Sequence, residues 1–93
     1  MSARATTRRW TPPEMFAPVI EAVLEEAGGS LAAEDVFTEL EARIGDQLRP
    51  GDRETTPEGE LRWQFAARRA RQALVREGRM VKGQAGVWEL AQR

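Results

Sequence analysis

At 93 residues and a formal net charge of −1, the chain has room for one small domain and no second. Hydrophobic residues make up 41% and charged residues 31%, an ordinary balance for one globular core, and no apolar run approaches the roughly 20 residues of a membrane helix. His, Cys and Tyr are all absent, which removes imidazole bases, thiolate nucleophiles and most ligands of zinc, copper and iron; no enzymatic activity, cofactor or metal is expected. The basic start MSARATTRRW leads into no apolar signal core, so an intracellular, cytoplasmic address is expected.

The near-zero net charge conceals a division. Residues 1–60 hold 6 Arg against 13 Asp plus Glu, a net −7, whereas residues 61–93 hold 8 Lys plus Arg against 2 Glu, a net +6. A basic face on an acidic body can bind and orient a polyanion without coating it indiscriminately.

In chain order, residues 1–10 carry Arg4, Arg8 and Arg9 without apolar periodicity. They read as a flexible basic arm ending at Trp10, simple fraying being the plainer alternative; residues 11–93 form the domain. Thr11-Pro12-Pro13-Glu14 has the form of a capped helical turn, Thr at the cap and Glu three residues on. Pro18 would interrupt a longer helix, so the main first helix should begin near it. Phe16, Val19, Ile20, Val23, Leu24 and Ala27 then recur at helical spacing, and Gly28-Gly29 ends the run. Ser30-Leu31 fits a small edge strand, and Glu34 to Ile44 presents Val36, Phe37, Leu40 and Ile44 as one helical stripe.

The stretch GDQLRPGDRETTPEGE, residues 45–60, is long for a connection inside a compact domain, and only Leu48 looks anchored. Asp46, Asp52, Glu54, Glu58 and Glu60 share this loop, but their spacing matches no cation-loop signature. Thr55, Thr56, Pro57 and Glu58 announce a helix start, and a third helix runs from about Glu60 to Glu77, stopping at Gly78. Met80-Val81-Lys82 and Val87-Trp88-Glu89-Leu90 flank a glycine-bounded turn, which is a hairpin. A mainly α, α+β chain of three helices closed by a C-terminal two-stranded hairpin has the winged helix-turn-helix order, in which the third helix enters the major groove and the hairpin touches adjoining backbone.

On the third helix, at 100° per residue from Trp63, Leu74 falls at about 20°, Ala67 at 40°, Ala70 at 340° and Ala66 at 300°, a narrow core face. Opposite lie Gln72 at about 180°, Phe65 at 200°, Arg76 at 220° and Arg69 at 240°, with Arg62 and Arg68 on the flanks. Arg62, Arg68, Arg69 and Arg76 can meet phosphates or guanine edges, Gln72 an adenine, and Phe65 a thymine methyl; the alternative is a solvated charged face with Phe65 tucked under the acidic loop. Lys82 and Gln84 would be wing contacts to phosphate, Arg8 and Arg9 accessory contacts from the arm. Trp88 and Leu90 share one strand face and should seal the core, stacking on a base being the other use of such a Trp. The acidic loop would repel DNA beside the third helix, so it should lie on the other side or take a basic partner.

The run Phe16, Pro18-Val19-Ile20, Gly28-Gly29-Ser30, Val36, Asp46, Leu48, Asp52, Arg62-Trp63, Ala70-Arg71, Leu74, Glu77-Gly78 and Gly86-Val87-Trp88-Glu89-Leu90 resembles the winged-helix domain at the N-terminus of Mrr-type restriction endonucleases. Similar copies occur beside HNH-type nuclease domains and as stand-alone bacterial proteins. The resemblance spans roughly residues 15–90. It implies a module that binds double-stranded DNA in restriction, defence or regulation, working with a nuclease or other protein partner; separately, the roughly four to six phosphate contacts open to one copy mean that tight binding requires a second copy or a fused partner. Cleavage does not carry over, because the nuclease residues of such proteins have no counterpart here. The competing expectation is a winged-helix interaction module that docks its arginine stripe on an acidic protein surface and its acidic loop on a basic one.

Overall fold

In a computed structural model describing residues 10–92, a 3-10 turn at Pro13–Met15 leads into helix α1 (Ala17–Glu26), strand β1 (Ser30–Ala32) and helix α2 (Ala33–Ile44). Two 3-10 turns, Gly45–Gln47 and Pro50–Arg53, precede helix α3 (Arg62–Arg76) and strands β2 (Met80–Val81) and β3 (Val87–Leu90). The chain is mainly helical with a small antiparallel sheet. The candidate arm contacts Arg4, Arg8 and Arg9 lie outside the described residues.

The apolar spacings translate directly into burial. Ile20, Val23 and Leu24 of α1, Val36 and Leu40 of α2, and Trp63, Ala66, Ala67, Ala70 and Leu74 of α3 meet in one core with Phe16, Met80 and Trp88. The α3 alanines let that helix lie close to its neighbours, because small side chains leave no ridge to hold the axes apart. Phe37 joins three elements, meeting Trp63 edge-on at 5.8 Å between ring centroids and Trp88 at 5.4 Å, a geometry that satisfies the ring quadrupoles. Each large buried side chain contributes about 1.5–3 kcal/mol, against at most about 1 kcal/mol for a typical exposed ion pair, so the core rather than surface charge holds the fold.

Helices α1 and α3 end the same way. Gly28 and Gly29 have φ of +91° and +115°, and the Gly29 N–H donates to the Leu24 carbonyl at 2.8 Å. After α3, Gly78 adopts φ +80° and the Arg79 N–H reaches the Leu74 carbonyl at 2.9 Å. These reversals capture carbonyls that the last helical turn cannot satisfy, and their left-handed residues favour glycine.

The sheet order is β1-β3-β2, with Leu31 opposite Trp88 and Val81 opposite Glu89. The short segment after α1 therefore pairs with the C-terminal strand, which becomes central. Trp88 is buried and Leu90 half-buried, so this tryptophan seals the core and is withdrawn from any stacking role.

The structure corrects three expectations. Thr11 caps no helix: the Pro13–Met15 turn follows Pro12 without a side-chain cap, and the Thr11 hydroxyl is engaged elsewhere, as described below. Thr55 to Glu60 does not begin α3; Thr55 bridges Leu61 across a turn in which the Thr56 N–H donates to the Glu60 carbonyl at 2.7 Å, and the helix starts at Arg62. Leu48 is not the only anchor of the connection, because Asp52 is 1% exposed and Gly51 and Thr56 are also buried.

Asp52 binds the loop to the start of the domain. Its Oδ1 accepts the Thr11 backbone N–H at 2.8 Å, and its Oδ2 accepts the Thr11 hydroxyl at 2.6 Å and the Arg49 N–H at 2.8 Å. A buried carboxylate persists only when its oxygens are saturated in this way. Nearby, the Arg49 guanidinium donates to the Trp10 carbonyl at 3.2 Å, so Trp10 belongs to the folded body rather than to an arm.

Candidate nucleic-acid interface

Helix α3 buries the face predicted from its spacing and exposes the other. Phe65, Arg68, Arg69, Gln72 and Arg76 are exposed and Arg62 is half-buried. Phe65 is 42% exposed, so the acidic loop does not cover it. The exposed crest is flanked by two different surfaces, a separation that a helical wheel cannot show.

On one flank stand α2 and the β2–β3 turn. The Arg68 guanidinium lies 5.0 Å from the centre of the Phe37 ring and pairs with Glu60. Arg71 sits 5.7 Å over the Trp88 ring, and its Nη2 donates to the Lys82 carbonyl at 2.7 Å, tying α3 to the turn. Its buried Nε has no hydrogen-bond partner among the described residues. Arg68, Arg71, Lys82 and Gln84 thus come together around a shallow groove of about 330 Å³ whose lining contains no carboxylate. Lys82 and Gln84 themselves are exposed.

On the other flank stand Trp10 to Ala17. Arg62, Phe65 and Arg69 line a hollow with Trp10, Pro12 and Pro13, and Gln72 and Arg76 line an adjoining depression with Ala17. The eight candidate residues that are described therefore do not form one surface. Arg68, Lys82 and Gln84 share the turn side, Arg62, Phe65, Arg69, Gln72 and Arg76 follow the crest toward the opposite side, and Arg8 and Arg9 lie outside the described residues.

Where the acidic residues go decides the local field. Glu26 accepts hydrogen bonds from Arg43, which hold its carboxyl below the ordinary value. Arg53 donates to both oxygens of Glu41 at 2.7 and 2.8 Å, with the same effect on that carboxyl. Arg79, just past α3, donates to both oxygens of Glu21 at 2.7 and 2.8 Å. Arginines on other elements are thus engaged by carboxylates, whereas among the described residues no carboxylate pairs with Arg69, Arg71, Arg76 or Lys82. The acidic loop does take a basic partner, since Glu60 engages Arg68.

Sequence reasoning missed Arg71, Trp10 and Thr11 as parts of these surfaces, and Asp52 as the buried group that holds Thr11 in place. Arg71 stands at about 80° on the wheel, near the core side, and only the strand pairing brings a carbonyl to it. An arginine on a helix flank that faces a β-turn was the available signal. Comparison with protein-family models, with curated proteins and with solved structures gives no match.

Proposed function

We propose that the chain is a winged-helix module that binds duplex DNA, with the α3 crest in the major groove and the β2–β3 turn as the wing. The observation that carries this reading is the shallow groove at which Arg68 and Arg71 of α3 meet Lys82 and Gln84 of the turn, where Glu60 is the counter-charge of Arg68 and Arg71 and Lys82 have no carboxylate partner among the described residues. Helix and turn present donors on one continuous surface, as phosphates flanking a groove require. Gln72, exposed in the C-terminal half of α3, would pair with a base edge, adenine being its bidentate match. Arg76 extends the crest by one turn. Arg62, Phe65 and Arg69 face away from the wing and take no part in the phosphate contacts assigned here. The resemblance to the N-terminal module of Mrr-type endonucleases supports the same role, that of supplying target binding to a nuclease or another protein.

With about four to six phosphate contacts, log affinity should fall against log salt with a slope of roughly −4 to −5, and non-specific dissociation constants should lie near 10⁻⁴ to 10⁻⁶ M. Fluorescence anisotropy with short labelled duplexes at several salt concentrations measures both. Absence of binding at tens of micromolar protein in low salt, or binding indifferent to salt, contradicts the proposal.

Glu60 supplies an independent check. It neutralises Arg68 at the rim of the surface and would stand near an incoming phosphate. Unit charges about 4 Å apart in water interact by about 1 kcal/mol, so Glu60→Gln is expected to tighten duplex binding about fivefold. The same titration reads it; unchanged or weakened affinity would place the phosphates elsewhere.

A further inference from the structure

The surface on the far side of α3 from the wing has a different chemistry. Trp10 and Phe65 are 45% and 42% exposed, two large rings in one hollow of about 650 Å³ that also includes Pro12, Pro13 and Ala66. A second depression continues it along α3, the two sharing Pro13, Glu14 and Arg69. Exposed apolar patches framed by polar residues mark interaction sites in soluble proteins. Arg62, Arg69 and Arg76 recur here at intervals of seven residues, with Phe65 and Gln72 between them. This is the heptad spacing by which one helix keeps a seam facing another.

We infer that this groove docks an acidic amphipathic helix of a partner protein, its apolar residues seated on Trp10, Pro13 and Phe65 and its carboxylates on Arg62, Arg69 and Arg76. From Arg62 to Arg76 the groove runs about 21 Å, the length of a four-turn helix of about 14 residues. Charge complementarity selects the occupant. None of the three arginines has a carboxylate partner among the described residues. Glu14, where the depressions meet, and Glu77 beside Arg76 call for neutral or basic residues at the middle and at one end of the occupant, leaving the three arginines in excess over two carboxylates.

A DNA duplex offers phosphates to the arginines but no more than a thymine methyl to the rings. An unstacked base is disfavoured because one face of each ring already carries a guanidinium, Arg62 at 4.7 Å from the Trp10 centre and Arg69 at 6.0 Å from that of Phe65. The inference uses the flank away from the wing and shares Arg76 with the DNA reading, whose phosphate contacts at Arg68, Arg71 and Lys82 lie on the opposite flank.

The test is display selection of random 16-residue peptides on the full-length chain, followed by anisotropy titration of synthetic versions of the enriched sequences. Enriched peptides are expected to carry net negative charge with apolar residues at i, i+3 or i+4, and i+7. Phe65→Ser and Arg69→Glu should each weaken them at least tenfold, Arg69→Lys less than threefold, and Lys82→Glu less than twofold. These side chains are exposed, and thermal melts confirm that each variant is folded. No acidic enrichment, no binder at all, or binders indifferent to Phe65 and Arg69 would overturn the inference. So would a 20-nucleotide single strand that displaces the peptides and itself depends on Phe65, which would assign the groove to nucleic acid.

Discussion

Replacing Asp52 with alanine is expected to lower the unfolding free energy by about 3 kcal/mol, the sum of several donors left poorly satisfied at about 1 kcal/mol or more each. The carboxylate is 1% exposed and is the acceptor for the Thr11 N–H, the Thr11 hydroxyl and the Arg49 N–H. In a domain of this size each kcal/mol moves the melting temperature by about 4–8 °C, so a loss of about 12–24 °C is expected in a thermal melt followed by circular dichroism. The substitution also releases one wall of the groove beside α3, because Thr11 carries Trp10 and Pro12 with it. Amide exchange should therefore accelerate at Thr11 and Arg49 before it does at Leu24 or Leu40. A change below about 1 kcal/mol would show that the loop is held by something other than this carboxylate.

Reversing two charges beside the wing should be the largest functional lesion. Arg68→Glu combined with Lys82→Glu places two carboxylates where the account puts phosphates. Each charge-assisted contact is worth about 1.5–3 kcal/mol, so losing two weakens duplex binding by about 4 kcal/mol, roughly a thousandfold. Both side chains are exposed, and the buried core is untouched, so the melting temperature should shift by only a few degrees. Anisotropy titration against the parent chain at one low salt concentration gives the ratio. Less than a tenfold loss would remove Arg68 and Lys82 from the interface.

The helices were readable because a single face of each is apolar. Val23 and Leu24 lie three and four residues after Ile20, Val36 and Leu40 are four apart, and Trp63, Ala67, Ala70 and Leu74 follow one another at three or four, all of them buried; this periodicity needs no knowledge of the partner. The glycine stops at Gly28 and Gly78 were readable for the same local reason, both residues adopting positive φ. Asp52 was not readable. Its principal partner, Thr11, lies 41 residues away, and a carboxylate in a Gly- and Pro-rich stretch looks solvated until the fold brings donors to it. Thr11 misled in turn because a threonine before two prolines fits a helix cap.

For the candidate site, exposure of the α3 crest followed from azimuth alone, whereas its division into two flanks did not. That division depends on the segment from Trp10 to Ala17 packing along one side of the helix and the β2–β3 turn along the other. Neither contact has a signature in the spacing of α3 itself. The wheel therefore joined Arg69 with Lys82 in one imagined surface, although they line different hollows.

The most direct test of the central claim is a two-dimensional ¹⁵N–¹H spectrum of the full chain titrated with a 12-base-pair duplex in low salt. If α3 and the wing hold DNA, the largest shifts fall on the amides of Arg68, Arg71, Gln72, Lys82 and Gln84, with Glu60 moving as its ion pair opens. Shifts confined to α1 and α2, or to Trp10 through Glu14, or no shifts at millimolar duplex, would contradict it.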